Sequence, residues 1–82
     1  MTRFTTVDAT RPDWRPLEQH VPHEECAEFM WMHRDGVVHF YKHIITRRYL
    51  MLDVDGNCLR WHQGGLQAVD FKPEYLRVTG RE

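Results

Sequence analysis

From Cys26 onward, apolar and polar positions alternate with a period of two. Cys26-Ala27-Glu28-Phe29-Met30-Trp31-Met32-His33 leads into Arg34-Asp35-Gly36, and Val37-Val38-His39-Phe40-Tyr41-Lys42-His43 follows. Aromatic and β-branched residues around an Asp-Gly predict a β-hairpin. A three-residue loop over 34–36, with Gly36 left-handed, sets His33 against Val37, Trp31 against His39 and Phe29 against Tyr41. Met30, Met32, Val38 and Phe40 then share the opposite face. Both faces are rich in apolar residues, whereas a sheet with one solvated face alternates more cleanly. Either the domain covers both faces itself, or a partner covers one.

A second hairpin follows. Tyr49-Leu50-Met51-Leu52-Asp53-Val54 and Asn57-Cys58-Leu59-Arg60-Trp61-His62 flank Asp55-Gly56, the dipeptide favoured in two-residue type I′ turns. That loop pairs Leu52 with Leu59 and Leu50 with Trp61 on one face, and Met51 with Arg60 and Asp53 with Cys58 on the other. Turn chemistry and packing select the same register, because a one-residue slip would send each side chain to the opposite face.

Outside the hairpins the pattern is weaker. Residues 1–12 lack a clear period and read as an arm or a short edge strand. Asp13 as N-cap and Pro22 as a stop predict a short helix over about 14–20, with Trp14, Leu17 and Val21 on its inner side. Gly64-Gly65 breaks the chain, and 66–71 reads as a last strand ended by Lys72-Pro73. The stretch 73–78 fits a helical turn or a further strand equally well.

Length and composition narrow the class. Eighty-two residues hold one domain, and 41% hydrophobic with 28% charged residues is ordinary for a globular chain. Eleven basic and twelve acidic side chains leave a net charge of -1. No field of one sign is available to draw in nucleic acid or an anionic membrane. Two cysteines, Cys26 and Cys58, cannot build a dense disulfide framework, although one bridge between facing strands is an open alternative. The first residues have no apolar signal-peptide core, and no apolar run nears the roughly 18 residues that span a bilayer. A cytoplasmic protein with reduced thiols and no membrane association is expected.

Six histidines are the compositional oddity. His20, His23 and Cys26 fall at intervals of three and could close on one metal beside Pro22. By contrast, four residues of strand separate Cys58 from His62, and His39 from His43, by about 13 Å, too far to share one ion. Without paired Cys-x-x-Cys knuckles the balance lies with surface histidines and a buried thiol, so no metal and no cofactor are expected. Asp53-Val54-Asp55-Gly56-Asn57 has its glycine at the fourth place, not the sixth that a calcium loop requires. Neither a nucleophile elbow nor a phosphate-cradling loop is present, and no catalytic residue is assigned.

The stretch 41–49, Tyr-Lys-His-Ile-Ile-Thr-Arg-Arg-Tyr, interleaves cations with aromatic rings at the connection between the hairpins. Tyr41, Lys42, His43, Arg47 and Arg48 are therefore the candidate ligand-binding residues, suited to phosphate contact and base stacking. The competing reading makes them counter-ions and turn residues, which the near-neutral charge favours. Tyr41-Lys42-His43, Thr46-Arg47-Arg48-Tyr49-Leu50 and Leu52-Asp53-Val54-Asp55-Gly56 together resemble small bacterial proteins carried on integron gene cassettes. The resemblance covers the middle third of the chain. It implies a bacterial, cytoplasmic protein of mobile DNA, oligomeric in form, and brings no activity with it.

The expected architecture is mainly β (α+β). It is an antiparallel meander of four to five strands with a short N-terminal helix, a single domain over 1–82, with a small open barrel as the alternative. The expected core is Trp14, Leu17, Met30, Met32, Val38, Phe40, Leu50, Leu52, Leu59 and Trp61. Phe29, Trp31, Tyr41 and Met51 form the second face and the expected interface of a self-associating binding module, most simply a two-fold homodimer. A binder of nucleic acid or anionic ligand, using the basic loop 42–48, is the second reading. A small metal protein or enzyme using His and Cys is the third.

Overall fold

Short turns set the architecture. The computed structural model describes residues 11–82, so the arm expected over 1–12 lies almost entirely outside the described residues. Two single-turn helices, α1 (Arg15–Glu18) and α2 (His23–Cys26), precede five strands. These are β1 (Phe29–Asp35), β2 (Val38–His43), β3 (Tyr49–Asp53), β4 (Cys58–His62) and β5 (Gly65–Val69), and α3 (Phe71–Thr79) follows. The strands form one open antiparallel meander in the order β1-β2-β3-β4-β5. The meander is as expected, and the sheet does not close into a barrel.

The first hairpin turns over Gly36-Val37, with Asp35 paired to Val38. Gly36, at φ 59°, takes the first turn position, where hairpins favour glycine. Trp31 consequently pairs with Tyr41 and Phe29 with His43, not with His39 and Tyr41. A shift between Trp31 and His33 absorbs Met32 as an extra residue.

The second hairpin corrects the expected register. Its loop has three residues, Val54, Asp55 and Gly56, because the Asp53 N–H donates to the Asn57 carbonyl at 3.0 Å. Gly56 N–H donates to the Asp53 carbonyl at 2.9 Å, and Gly56 sits at φ 88°. A tight turn followed by a left-handed glycine is the three-residue hairpin solution. Met51 now pairs with Leu59 and Leu52 with Cys58. One residue of slip sends Leu59 and Trp61 to the Met51 side of the sheet.

α1, α2 and α3 all contribute to one side. Their buried residues Leu17, Cys26, Tyr75 and Val78 cluster with Phe29, Tyr41, Leu50, Leu52 and Cys58 of the sheet. Trp14, Val21, Trp31, Val69 and Phe71 pack around that cluster. Tyr41 and Leu50 are completely buried. Leu17, Leu50 and Leu52 are core residues as expected, and Met51 lies on the opposite face as expected, whereas the faces of the first hairpin are inverted. Phe29, Trp31 and Tyr41 lie in or against the core, under the helices. Met30, Phe40 and Leu59, expected inside, lie on the helix-free side, where Trp61 is 62% exposed. Met32, in the bulge, is exposed as well. The two sets share a strand in alternation, so whichever set the helices cover becomes the core.

Polar contacts tie α3 across the molecule. Tyr75 Oη donates to Glu25 at 2.6 Å, and the Arg81 guanidinium grips both oxygens of Glu28 at 2.7 and 2.8 Å. The rings of His20 and Phe71 stack at 3.9 Å.

Candidate functional site

The helix-free face can be read row by row from the strand register. One row crosses the sheet through Met30, Lys42 and Tyr49. The β3–β4 register continues it to Trp61, which pairs with Leu66. The next row is His33, Phe40, Met51, Leu59 and Ala68. The third is Asp35, Val38 and Asp53. Apolar and aromatic groups therefore fill the middle of the face, Lys42 stands at one end, and two aspartates stand at the other.

His33, Phe40, Tyr49, Met51 and Trp61 line a shallow trough of about 320 Å³ on this face. The His33 and Phe40 rings stack at 4.3 Å, and Tyr49 meets Phe40 edge-on with centroids 6.5 Å apart. Lys42 Nζ lies 5.7 Å from the Tyr49 ring centroid, within cation–π range. Met51 is buried among these neighbours at the centre of the middle strand.

The basic stretch does not converge. Tyr41 and Lys42 are adjacent and therefore point to opposite sides of the sheet. Tyr41 is in the core, its hydroxyl donating to the Asp13 backbone carbonyl at 2.7 Å. His43 is also buried on the helix side. Its Nδ1 accepts the Thr46 N–H at 3.2 Å, which leaves the proton on Nε2, 3.2 Å from Glu28 Oε1. His43 thus braces the β2–β3 connection. Arg47, at φ 66°, is exposed in that connection, and Arg48 donates to the Arg77 carbonyl at the end of α3. Of the five expected ligand residues, only Lys42 joins the aromatic face. Of the four expected interface residues, only Met51 lies there. His33, Phe40, Tyr49, Trp61 and Leu66 were missed as a group, although the shared parity of Met30, Val38 and Phe40 already outlined their face.

The histidine and cysteine candidates also separate. His20 Nε2 is hydrogen-bonded to the Gly56 carbonyl, His23 is exposed 3.9 Å from Glu18, and Cys26 is in the core. Among the described residues no three His, Cys, Asp or Glu side chains are grouped to hold a metal. Cys26 and Cys58 are both buried and free. Burial pushes the Cys58 thiol up to about 12 and raises the Cys26 thiol as well.

A wider cleft of about 610 Å³ lies between the β4–β5 edge and α3, lined by Arg60, Val69, Asp70, Glu74, Arg77 and Glu82 among others. Glu74 is only 4% exposed and is held bidentately by Arg77 at 3.1 and 2.7 Å, with Arg60 at 4.0 Å. Arg60 and Arg77 share this one buried carboxylate, and Asp70 and Glu82 line the same cleft, so among the described residues it presents no excess of positive charge to an anionic ligand.

Compared with family models, curated proteins and solved structures, the chain matches none. No helix among the described residues is long and apolar enough to cross a membrane. The shape and chemistry of the helix-free face therefore carry the functional reading.

Proposed function

We propose that the protein is a binding module that self-associates as a homodimer through the helix-free face of its sheet. The observation that carries this reading is the 62% exposed Trp61, in line with Tyr49 and Leu66 on a face that no helix of the described residues covers. Five strands about 4.8 Å apart and five residues long present roughly 400 Å² in projection. That is about half of the roughly 800 Å² per partner of a standard stable interface, so association should be weak and depend on concentration. The integron-cassette resemblance adds a bacterial origin and a cytoplasmic setting to the proposal, and no catalytic step.

Light scattering across a concentration series tests it, with Trp61→Arg as the control variant. Trp61 contributes little to the core, so this variant should keep its melting temperature while shifting from dimer to monomer. A wild-type chain that stays monomeric at every concentration overturns the proposal.

One observation favours a second reading, a platform for single-stranded nucleic acid. Stacked His33 and Phe40, with Lys42 over Tyr49, are groups on which bases can stack. The aspartates on the same face and the net charge of -1 rank it below self-association. Oligonucleotide binding at low salt that is lost in Phe40→Ala, in a monomeric wild-type chain, would reverse that order.

A further inference from the structure

The charges on the helix-free face are segregated, and that segregation bears on how a second copy would sit there. Lys42 and Val38 lie on the same strand and the same face, four residues or about 13 Å apart. Val38 is flanked in its row by Asp35 on β1 and Asp53 on β3. Asp53 accepts the N–H groups of Asp55 and Asn57 at 2.9 Å each. Those contacts hold its carboxyl below the ordinary carboxylate range against the opposing effect of burial, and keep its charge at that rim. The connection at the opposite end adds the exposed Arg47. Between the two ends lie the apolar Phe40, Met51 and Leu59. The face is therefore a dipole with an apolar middle.

Resting on the reading of this face as a homodimer interface, we infer that the two sheets stack with their two-fold axis across the strands, along the row of Phe40, Met51 and Leu59. A two-fold axis relating two sheets face to face must lie in the plane between them. An axis along the strands preserves the ends and sets like against like, the partner's Asp53 over Asp53. An axis across the strands exchanges the ends. Each Lys42 then stands over the partner's Val38, between the partner's Asp35 and the partner's Asp53. Stacked sheets lie about 10 Å apart, a gap that a lysine and an aspartate side chain reaching toward each other can span. The same axis brings Phe40, Met51 and Leu59 onto their own counterparts, an apolar seam with an ionic clasp at each end. Like charges brought together oppose association while complementary ones guide it, so the face selects one of the two stackings.

Sedimentation of the full chain at about 0.1 M salt separates the alternatives. Lys42→Asp places three carboxylates together at each end and should raise the dimer dissociation constant about tenfold or more. Asp35→Lys, at an exposed position, should weaken the dimer to a lesser degree. An equimolar mixture of the two variants should form more dimer than either variant alone at the same total concentration, because the reversed charges meet across the interface. About 1 M salt, where the screening length falls to about 3 Å, should shrink these differences. Circular dichroism on each variant checks that the fold is kept, and recovery on mixing requires folded chains in any case. Wild-type dimer that Trp61→Arg disrupts but Lys42→Asp leaves intact, with no recovery on mixing, overturns the crossed stacking and leaves the self-association reading standing. A monomeric wild type overturns both.

Discussion

The indole N–H of Trp31 donates to Nδ1 of His39 at 3.0 Å, across the first hairpin. An acceptor Nδ1 puts the proton of the neutral ring on Nε2, which is buried with no hydrogen-bond partner among the described residues. Protonating Nδ1 would turn two donors against each other inside the core. Burial is the main influence, and it lowers the His39 pKa below the ordinary 6.5; Asp13 opposes this, while Arg34 and Arg15 reinforce it. The unfolded chain then takes up protons first as pH falls. The stabilisation is complete above 6.5 and is lost as pH drops through the folded value. Urea unfolding at about pH 7.5 and about pH 5 should show lower stability at the acidic value. His39→Gln, whose amide oxygen can still accept from Trp31, should flatten that slope. An unchanged slope in the variant would assign the effect elsewhere.

Tyr41 was a candidate for both ligand binding and the interface, and its position makes it a core residue. Tyr41→Phe removes the hydroxyl that meets the Asp13 carbonyl and should cost about 1 kcal/mol in denaturant unfolding. Tyr41→Ala should cost about 3–5 kcal/mol through the cavity it leaves. Neither change should alter the dimer mass at concentrations and temperatures where the chain remains folded.

Asp53 fixes the second hairpin. Its Oδ1 accepts two backbone N–H groups, and its Oδ2 accepts the Asn57 amide at 3.1 Å. Asp53→Ala should lower stability by about 1–2 kcal/mol in thermal melts, and Asp53→Asn by less, since the amide oxygen still accepts. Equal losses in the two variants would mean that the charge, not the turn, is what matters.

Both thiols are sealed in the core. Alkylation read by mass spectrometry at about pH 8 should leave Cys26 and Cys58 unmodified in the native protein and modify both in urea. A rapid native reaction at either would show that the helices open readily from the sheet.

The alternation correctly grouped Phe29 and Trp31 with Tyr41, and Met30 with Phe40. It could not say which group faces inward, because both are apolar and the answer depends on where the helices go. The missing element was α3, which brings Tyr75 and Val78 to the core. Pro73 reads as the end of a strand, yet it is the third residue of that helix. There its absent N–H would have had no intrahelical partner in any case. The second hairpin shows a different gap. Asp55-Gly56 suits a two-residue loop, but the Asp53 carboxylate stabilises a three-residue one, and that single residue moved Trp61 from the expected core to the surface. The candidate site inherited both errors. Of its members only Lys42 and Met51 lie on the helix-free face, and they are the two whose parity places them with Phe40.

Because the strands lie in the sheet in the order in which the chain presents them, every rung of the ladder joins sequence neighbours. Such a sheet can zip up one hairpin at a time, each step closing a loop of only a few residues. The contacts of Tyr75 with Glu25 and of Arg81 with Glu28 instead span 50 and 53 positions of chain. Folding should thus proceed in two tempos, a fast local ladder and a slower clasping of α3. Stopped-flow refolding should find substitutions at Tyr75 chiefly accelerating unfolding, and substitutions in the hairpin turns slowing folding.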